Sequence, residues 1–142
     1  MIPRVLLDHS AWARFNASGL SPERRQELGA AAEGLRFVVC LPFLLEAGFS
    51  VRDATQHRAV MAPLLTLPHA IMNRGIEMRA VEAQSQLAST GHHRIPPADL
   101  LVAALADGHE LGVLHYDHHY DLIVERSDLR FESVWLAEPG SL

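Results

Sequence analysis

The apolar runs of this chain start and stop on carboxylates, and that limits how it can fold. Asp8 closes Val5-Leu6-Leu7, and Asp117 closes Val113-Leu114-His115-Tyr116. Asp99 opens Leu100-Leu101-Val102-Ala103-Ala104-Leu105-Ala106, and Glu46 interrupts Pro42-Phe43-Leu44-Leu45-Glu46-Ala47-Gly48-Phe49. An ionised acid loses its hydration when buried, so it sits beside a core only if it is paired or coordinated. One such acid is explained by a cap or a turn. Four acids at the edges of core-forming segments suggest one shared anionic pocket, and a hard divalent cation is its natural occupant.

Between the acids the chain alternates short apolar runs with helical patterns. Strands are expected at 4–7, 37–41, 113–115 and 131–136. Helices are expected from Ala11 with Ser10 as cap, from Ser21-Pro22-Glu23 to about Gly34, from Pro42 through Glu46, and over 55–67 with Pro63 kinking or ending it. A further helix spans 75–89, with Ile76, Met78, Val81 and Leu87 facing inward and Gly91 as C-cap. The segment 98–110 is apolar almost all round in its first half, which marks a buried central helix. A loop and short helix fill 117–126. Alternation of this kind implies a mainly parallel sheet between helical layers, an α/β/α arrangement, with ligands beyond the carboxyl ends of the strands. Asp8 and Asp117 both fall at such ends. With 142 residues the chain is expected to form a single domain, 1–142.

Composition excludes several classes. No apolar run is long enough for a membrane span, and Met1-Ile2-Pro3-Arg4-Val5 lacks the pattern of a signal peptide, so a cytoplasmic location is expected. Cys40 is the lone cysteine, which leaves no intrachain disulfide and no cysteine zinc site; within Phe37-Val38-Val39-Cys40-Leu41 it reads as a buried thiol. All twelve basic residues are arginine. A receiver-like phosphoacceptor domain also surrounds Mg²⁺ with acids but needs a lysine, and this chain has none. No glycines follow the first strand, against a dinucleotide-binding fold. The net charge of −5 disfavours nucleic acid, unless a cation neutralises the pocket or a local basic patch outweighs the total.

A carboxylate cluster holding Mg²⁺ points to phosphodiester hydrolysis, because such an ion activates water and offsets charge on phosphoryl oxygens. The arrangement resembles the PIN-domain nucleases and, more narrowly, the VapC toxins of bacterial toxin–antitoxin pairs. The likeness runs through Leu6-Leu7-Asp8-His9-Ser10, Leu45-Glu46-Ala47, the segment from Arg94 to Ala106 around Asp99, and Val113 to Asp121 around Asp117. It implies a PIN-like α/β/α domain and an endoribonuclease in which Asp8, Asp99 and Asp117 hold Mg²⁺ or Mn²⁺ and Glu46 completes the catalytic set. It also implies a homodimer and a small VapB-like antitoxin whose tail blocks the pocket, with no membrane partner. A catalytically silent binding module on the same scaffold is the alternative.

Two positions depart from the family pattern. His115 stands where Thr or Ser is usual, and Tyr120 replaces the usual Phe. Ser10 is either a helix cap or a contact to Asp8 or phosphate. Asp121, one turn beyond Asp117, either holds an outer water or caps a helix. Arg94 is a candidate phosphate ligand. Among nine histidines, His115 and His119 share a spacing that lets both face one way, which would suit zinc or nickel, but no second pair has metal-motif spacing. Substrate contact by His92, His93 or His118 at the pocket mouth is the stronger expectation.

Overall fold

A computed structural model describes residues 1–92 and 94–142; His93, one of the candidate substrate contacts, lies outside the described residues. The elements run β1 (Val5–Leu7), α1 (His9–Trp12), α2 (Pro22–Glu33), β2 (Phe37–Val38), α3 (Leu41–Phe49), α4 (Ala54–Leu64), α5 (Arg74–Ser89), α6 (Pro97–Gly108), β3 (Gly112–His115), α7 (His119–Arg126) and β4 (Ser133–Trp135). The four strands form one parallel sheet in the order β2-β1-β3-β4. By the right-handed rule for crossovers between parallel strands, this order sends α2 and the helices after β2 to opposite faces, the three layers expected.

This order fixes where the site lies. The chain leaves β1 toward β2 and leaves β3 toward β4, in opposite directions along the sheet. The connections after β1 and β3 therefore diverge and open a crevice at the shared carboxyl edge. Leu7 pairs with Leu114, so Asp8 and Asp117 emerge together at that edge. The Asp8 amide donates to the Leu114 carbonyl at 3.0 Å, extending the pairing to the acid itself.

Helix α6 brings Asp99 to the same place. Pro97 supplies the first helical position, Asp99 follows in the first turn, and Leu100, Val102, Ala103, Ala104, Leu105 and Ala106 are all buried. Its outer neighbour α5 comes so close that a Cβ on Gly108 would meet Ile76 at 2.6 Å. Arg79 of α5 clamps Asp107 of α6 with two hydrogen bonds of 3.1 and 3.2 Å.

Some expectations change in detail. The first helix is capped by Asp8, whose carboxylate accepts from the Ser10 amide; Ser10 lies inside the helix. The second strand is shorter than 37–41, because α3 starts at Leu41 after a single bridge between Val39 and His69. The buried face of α5 is Ile76, Ala80, Ala83 and Leu87, while Met78 and Val81 are exposed. Small alanines let α5 approach α6 closely, and this rotates the larger side chains outward. Pro63 ends α4 within a residue rather than kinking it. Gly91 takes φ +82° just past α5, as a helix stop requires. Trp12 and Phe15 pack edge-on to Phe43 and tilted on Phe37, respectively. No helix among the described residues is long and apolar enough to cross a membrane.

Candidate functional site

The site assembles from three elements at the carboxyl edge of the sheet, with α3 alongside. Asp8 is 5% exposed, and each of its carboxylate oxygens is occupied. Oδ2 accepts from the Ser10 amide at 3.0 Å and from the Ser10 hydroxyl. Oδ1 accepts from the Tyr120 hydroxyl at 2.6 Å. The Ser10 oxygen also accepts from the Tyr116 amide at 2.9 Å, so one hydroxyl ties the end of β1 to the segment after β3.

Asp99 is nearly as buried, at 8% exposed. Burial, then the charge of Asp8, raises its pKa to about 6; Asp117 pushes the same way and the His119 hydrogen bond pulls against them. Glu46 is half-buried, and its pKa is raised by burial first and by Asp8 second, with His9 opposing. Asp8 thus acts on both Asp99 and Glu46, and Asp117 acts on Asp99. His119 bridges two of them: its Nδ1 lies 3.0 Å from Asp99 Oδ2 and 3.2 Å from Asp117 Oδ1. The His119 amide donates to Asp117 Oδ1 at 3.0 Å, which turns the chain from β3 into α7. His118 Nδ1 stands 3.5 Å from the same oxygen.

His115 is fully buried and faces away from this space. Its Nδ1 accepts from the Asp117 amide at 3.1 Å, so the residue two positions before the acid holds that acid's backbone. Nε2 therefore carries the proton and donates to Ser133 Oγ at 2.6 Å. The Ser133 hydroxyl in turn donates to Asp121 Oδ1 at 2.6 Å, and the Trp135 indole donates to Asp121 Oδ2 at 2.9 Å. Asp121 is thus directed at β4. Burial lowers the His115 pKa to about 4, despite the nearby charges of Asp121, Asp8 and Asp117. His115 and His119 accordingly do not face one way, and the histidine pair imagined for zinc is not formed between them.

Arg94 is exposed on the rim, where it lines a cavity of about 290 Å³ together with His92, His118 and His119. Arg14 lies 4.9 Å over the Tyr116 ring and donates to the Ser10 carbonyl. On the other side, Glu46 borders an apolar groove of about 630 Å³ lined by Leu41, Leu45, Ile71, Met72 and Leu101. Cys40 is buried with its thiol pushed up to about 11 by burial, in keeping with an inert side chain.

Two contributors were not legible as such in the sequence. The Tyr120 hydroxyl was visible only as a departure from the usual Phe, and His119 only as one of several clustered histidines. The signal for both was their spacing from Asp117: two and three residues on, at the start of a helix, they turn back over the strand ends.

No family model matches the chain. Ribonuclease VapC2 of Mycobacterium tuberculosis is 33% identical over 141 residues, spanning 97% of each chain. Ribonuclease VapC21 of the same species is 31% identical over 143 residues, spanning 99% of each. Among solved structures, VapBC2 from Rickettsia felis bound to a promoter DNA fragment superposes with TM-score 0.71 at 16% identity, over 95% of this chain and 99% of that one. DNA-bound VapBC from Salmonella typhimurium gives 0.69 at 14% identity, over 96% of this chain and 100% of the other. The fold, the order of the acidic landmarks and full-length relatives above 30% identity agree: the chain belongs to the VapC ribonuclease family of PIN-type proteins.

Proposed function

We propose that residues 1–142 act as one PIN-like domain, a cytoplasmic Mg²⁺-dependent endoribonuclease and the toxin of a toxin–antitoxin pair. The relatives' shared name, ribonuclease, supports RNA as substrate. The observation that carries the reading is the placement of two buried carboxylates, Asp8 at 5% and Asp99 at 8% exposure, at the carboxyl edge of the sheet where Leu7 pairs with Leu114. Burial first and the charge of Asp8 second make Asp99 less acidic, and a divalent cation would offset both.

The acids are oxygen donors, as such an ion needs, and they come from the end of β1, the first turn of α6 and the turn after β3. Asp8, Asp99 and Asp117 would hold it, and Glu46 would complete the negative wall. Mn²⁺ suits the same donors. When bound, the ion supplies a Lewis acid that activates water and offsets charge on the phosphodiester. The chain's own part is to pre-set the ligands: Ser10 and Tyr120 fix both oxygens of Asp8, and the His119 amide fixes Asp117. Arg94 at the rim offers a planar donor pair to an RNA phosphate, offsetting the acid pocket locally.

A small antitoxin is the expected protein partner, in line with the VapBC and FitAB assemblies formed by the structural neighbours. The apolar groove beside Glu46 suits its tail: an apolar segment lying on Leu45 and Ile71 would bring a basic residue to the acids. Exposed Phe49, Leu65 and Val81 supply apolar surface for a homodimer.

Cleavage of RNA by the purified protein tests the reading. Chelation with EDTA should stop it and added Mg²⁺ or Mn²⁺ restore it. Asp8→Asn and Asp99→Asn should each lower the rate by at least about a hundredfold, as expected when a group that places a catalytic charge is removed. Wild-type rates in Asp99→Asn would sink the metal assignment.

A further inference from the structure

Beside the acid pocket stands a group of donors of different chemistry. Asp117, His118 and His119 each bring one potential ligand atom within 4.8 Å of the others. Asp117 Oδ1 is 3.5 Å from the His118 nitrogen and 3.2 Å from the His119 nitrogen. Donors sharing a tetrahedral first-row ion at a bond length near 2.05 Å are about 3.3 Å apart, so both spacings match a common ion. The imidazoles lie side by side, with ring centres 4.6 Å apart. His118 is solvent-facing and His119 half-buried, so the donors form an open rim accessible from water.

We propose that Asp117, His118 and His119 form a second cation subsite on the rim of the acid pocket, selective for a borderline transition ion of the Zn²⁺, Co²⁺ or Ni²⁺ class. Imidazole nitrogen suits these ions, while Mg²⁺ takes oxygen and dehydrates reluctantly. The subsite shares Asp117 with the Mg²⁺ pocket, and to that extent rests on the reading that Asp117 is free to ligate. His115 takes no part, since both its nitrogens are engaged elsewhere. His119 gives up its contact to Asp99 on ligation, so the two subsites are coupled through one side chain.

The full chain titrated with Co²⁺ tests this. Paramagnetic Co²⁺ displaces the exchangeable ring N–H proton of a ligating imidazole far outside the normal proton NMR range, which a carboxylate ligand does not do. One such signal is expected for each of His118 and His119, and Zn²⁺ should remove both by displacement. His118→Ala and His119→Gln should each delete one signal and lower the Zn²⁺:Mg²⁺ affinity ratio in calorimetry by tenfold or more.

Absence of displaced imidazole signals in the wild-type protein overturns the proposal, and that readout needs no variant to fold. A parallel Mg²⁺ titration separates the two readings. Mg²⁺ binding without imidazole signals defeats only the rim subsite. Imidazole signals without Mg²⁺ binding defeat only the magnesium pocket.

Discussion

At the scale of single residues, two side chains hold opposite stakes in stability. Tyr120 is fully buried, and its hydroxyl serves one oxygen of Asp8. Burial, and then the charge of Asp8, push its pKa well above the usual phenol value, so it remains a donor. Tyr120→Phe keeps the ring and deletes the bond to a buried charge. Urea denaturation should show a loss of about 1–3 kcal/mol. Asp99 behaves in the reverse sense. Its folded pKa of about 6 lies above the unfolded carboxyl value near 3.9, so the folded state binds the proton more tightly. Stability is therefore lost as pH rises through that window, and the cost is fully present above it. In metal-free protein at pH 7.5, Asp99→Asn should stabilise by on the order of 1–3 kcal/mol. Thermal unfolding should show the gain shrinking as pH falls toward 4. A variant no more stable than wild type at pH 7.5 would mean that burial and the charge of Asp8 do not disfavour the ionised Asp99.

Between elements, the link that matters most runs from β3 through β4 to α7. His115, Ser133 and Asp121 form a directed chain of hydrogen bonds, with the Trp135 indole as a second donor to Asp121. Ser133→Ala leaves a buried Nε2–H without an acceptor and should cost about 1–3 kcal/mol in denaturant unfolding. Because the His115 pKa falls to about 4, nitrogen-detected NMR should find the neutral Nε2–H tautomer unchanged from pH 8 to 5. The direction of acid sensitivity follows: a base with its folded pKa below the unfolded 6.5 withdraws stability as pH falls through the interval between them.

This link also shows what the sequence could reveal. The four acids were visible because each breaks an apolar run, and run boundaries survive folding. The parallel sheet was visible because strands alternate with helices. The direction of His115 was not, since a strand residue's face depends on register with β4, a pairing of distant segments. Met78 and Val81 misled for a related reason: hydrophobic periodicity weighs large side chains, whereas the close α5–α6 contact selects Ala80 and Ala83.

Over the whole molecule, the sheet order places two unlike surfaces side by side. The crevice between the β1 and β3 connections collects charge, while α3, the start of α6 and the segment before α5 leave a mostly apolar groove that Glu46 and Glu77 border. A partner that fills the groove and reaches the acids gains apolar burial and charge pairing from one docking event, and a partner with only one of these features gains half. Leu45 allows the two to be separated, because it is 64% exposed and carries little of the fold. Leu45→Glu should change unfolding stability by less than about 0.5 kcal/mol, as for an ordinary surface site. It should nonetheless weaken antitoxin binding at least about tenfold by calorimetry, because it buries a charge beneath an apolar tail. Glu46→Gln should weaken binding in a way that fades as salt rises, the mark of a lost charge pair rather than lost packing. Full affinity in Leu45→Glu would remove the groove from the recognition surface and leave the acid crevice to bind alone.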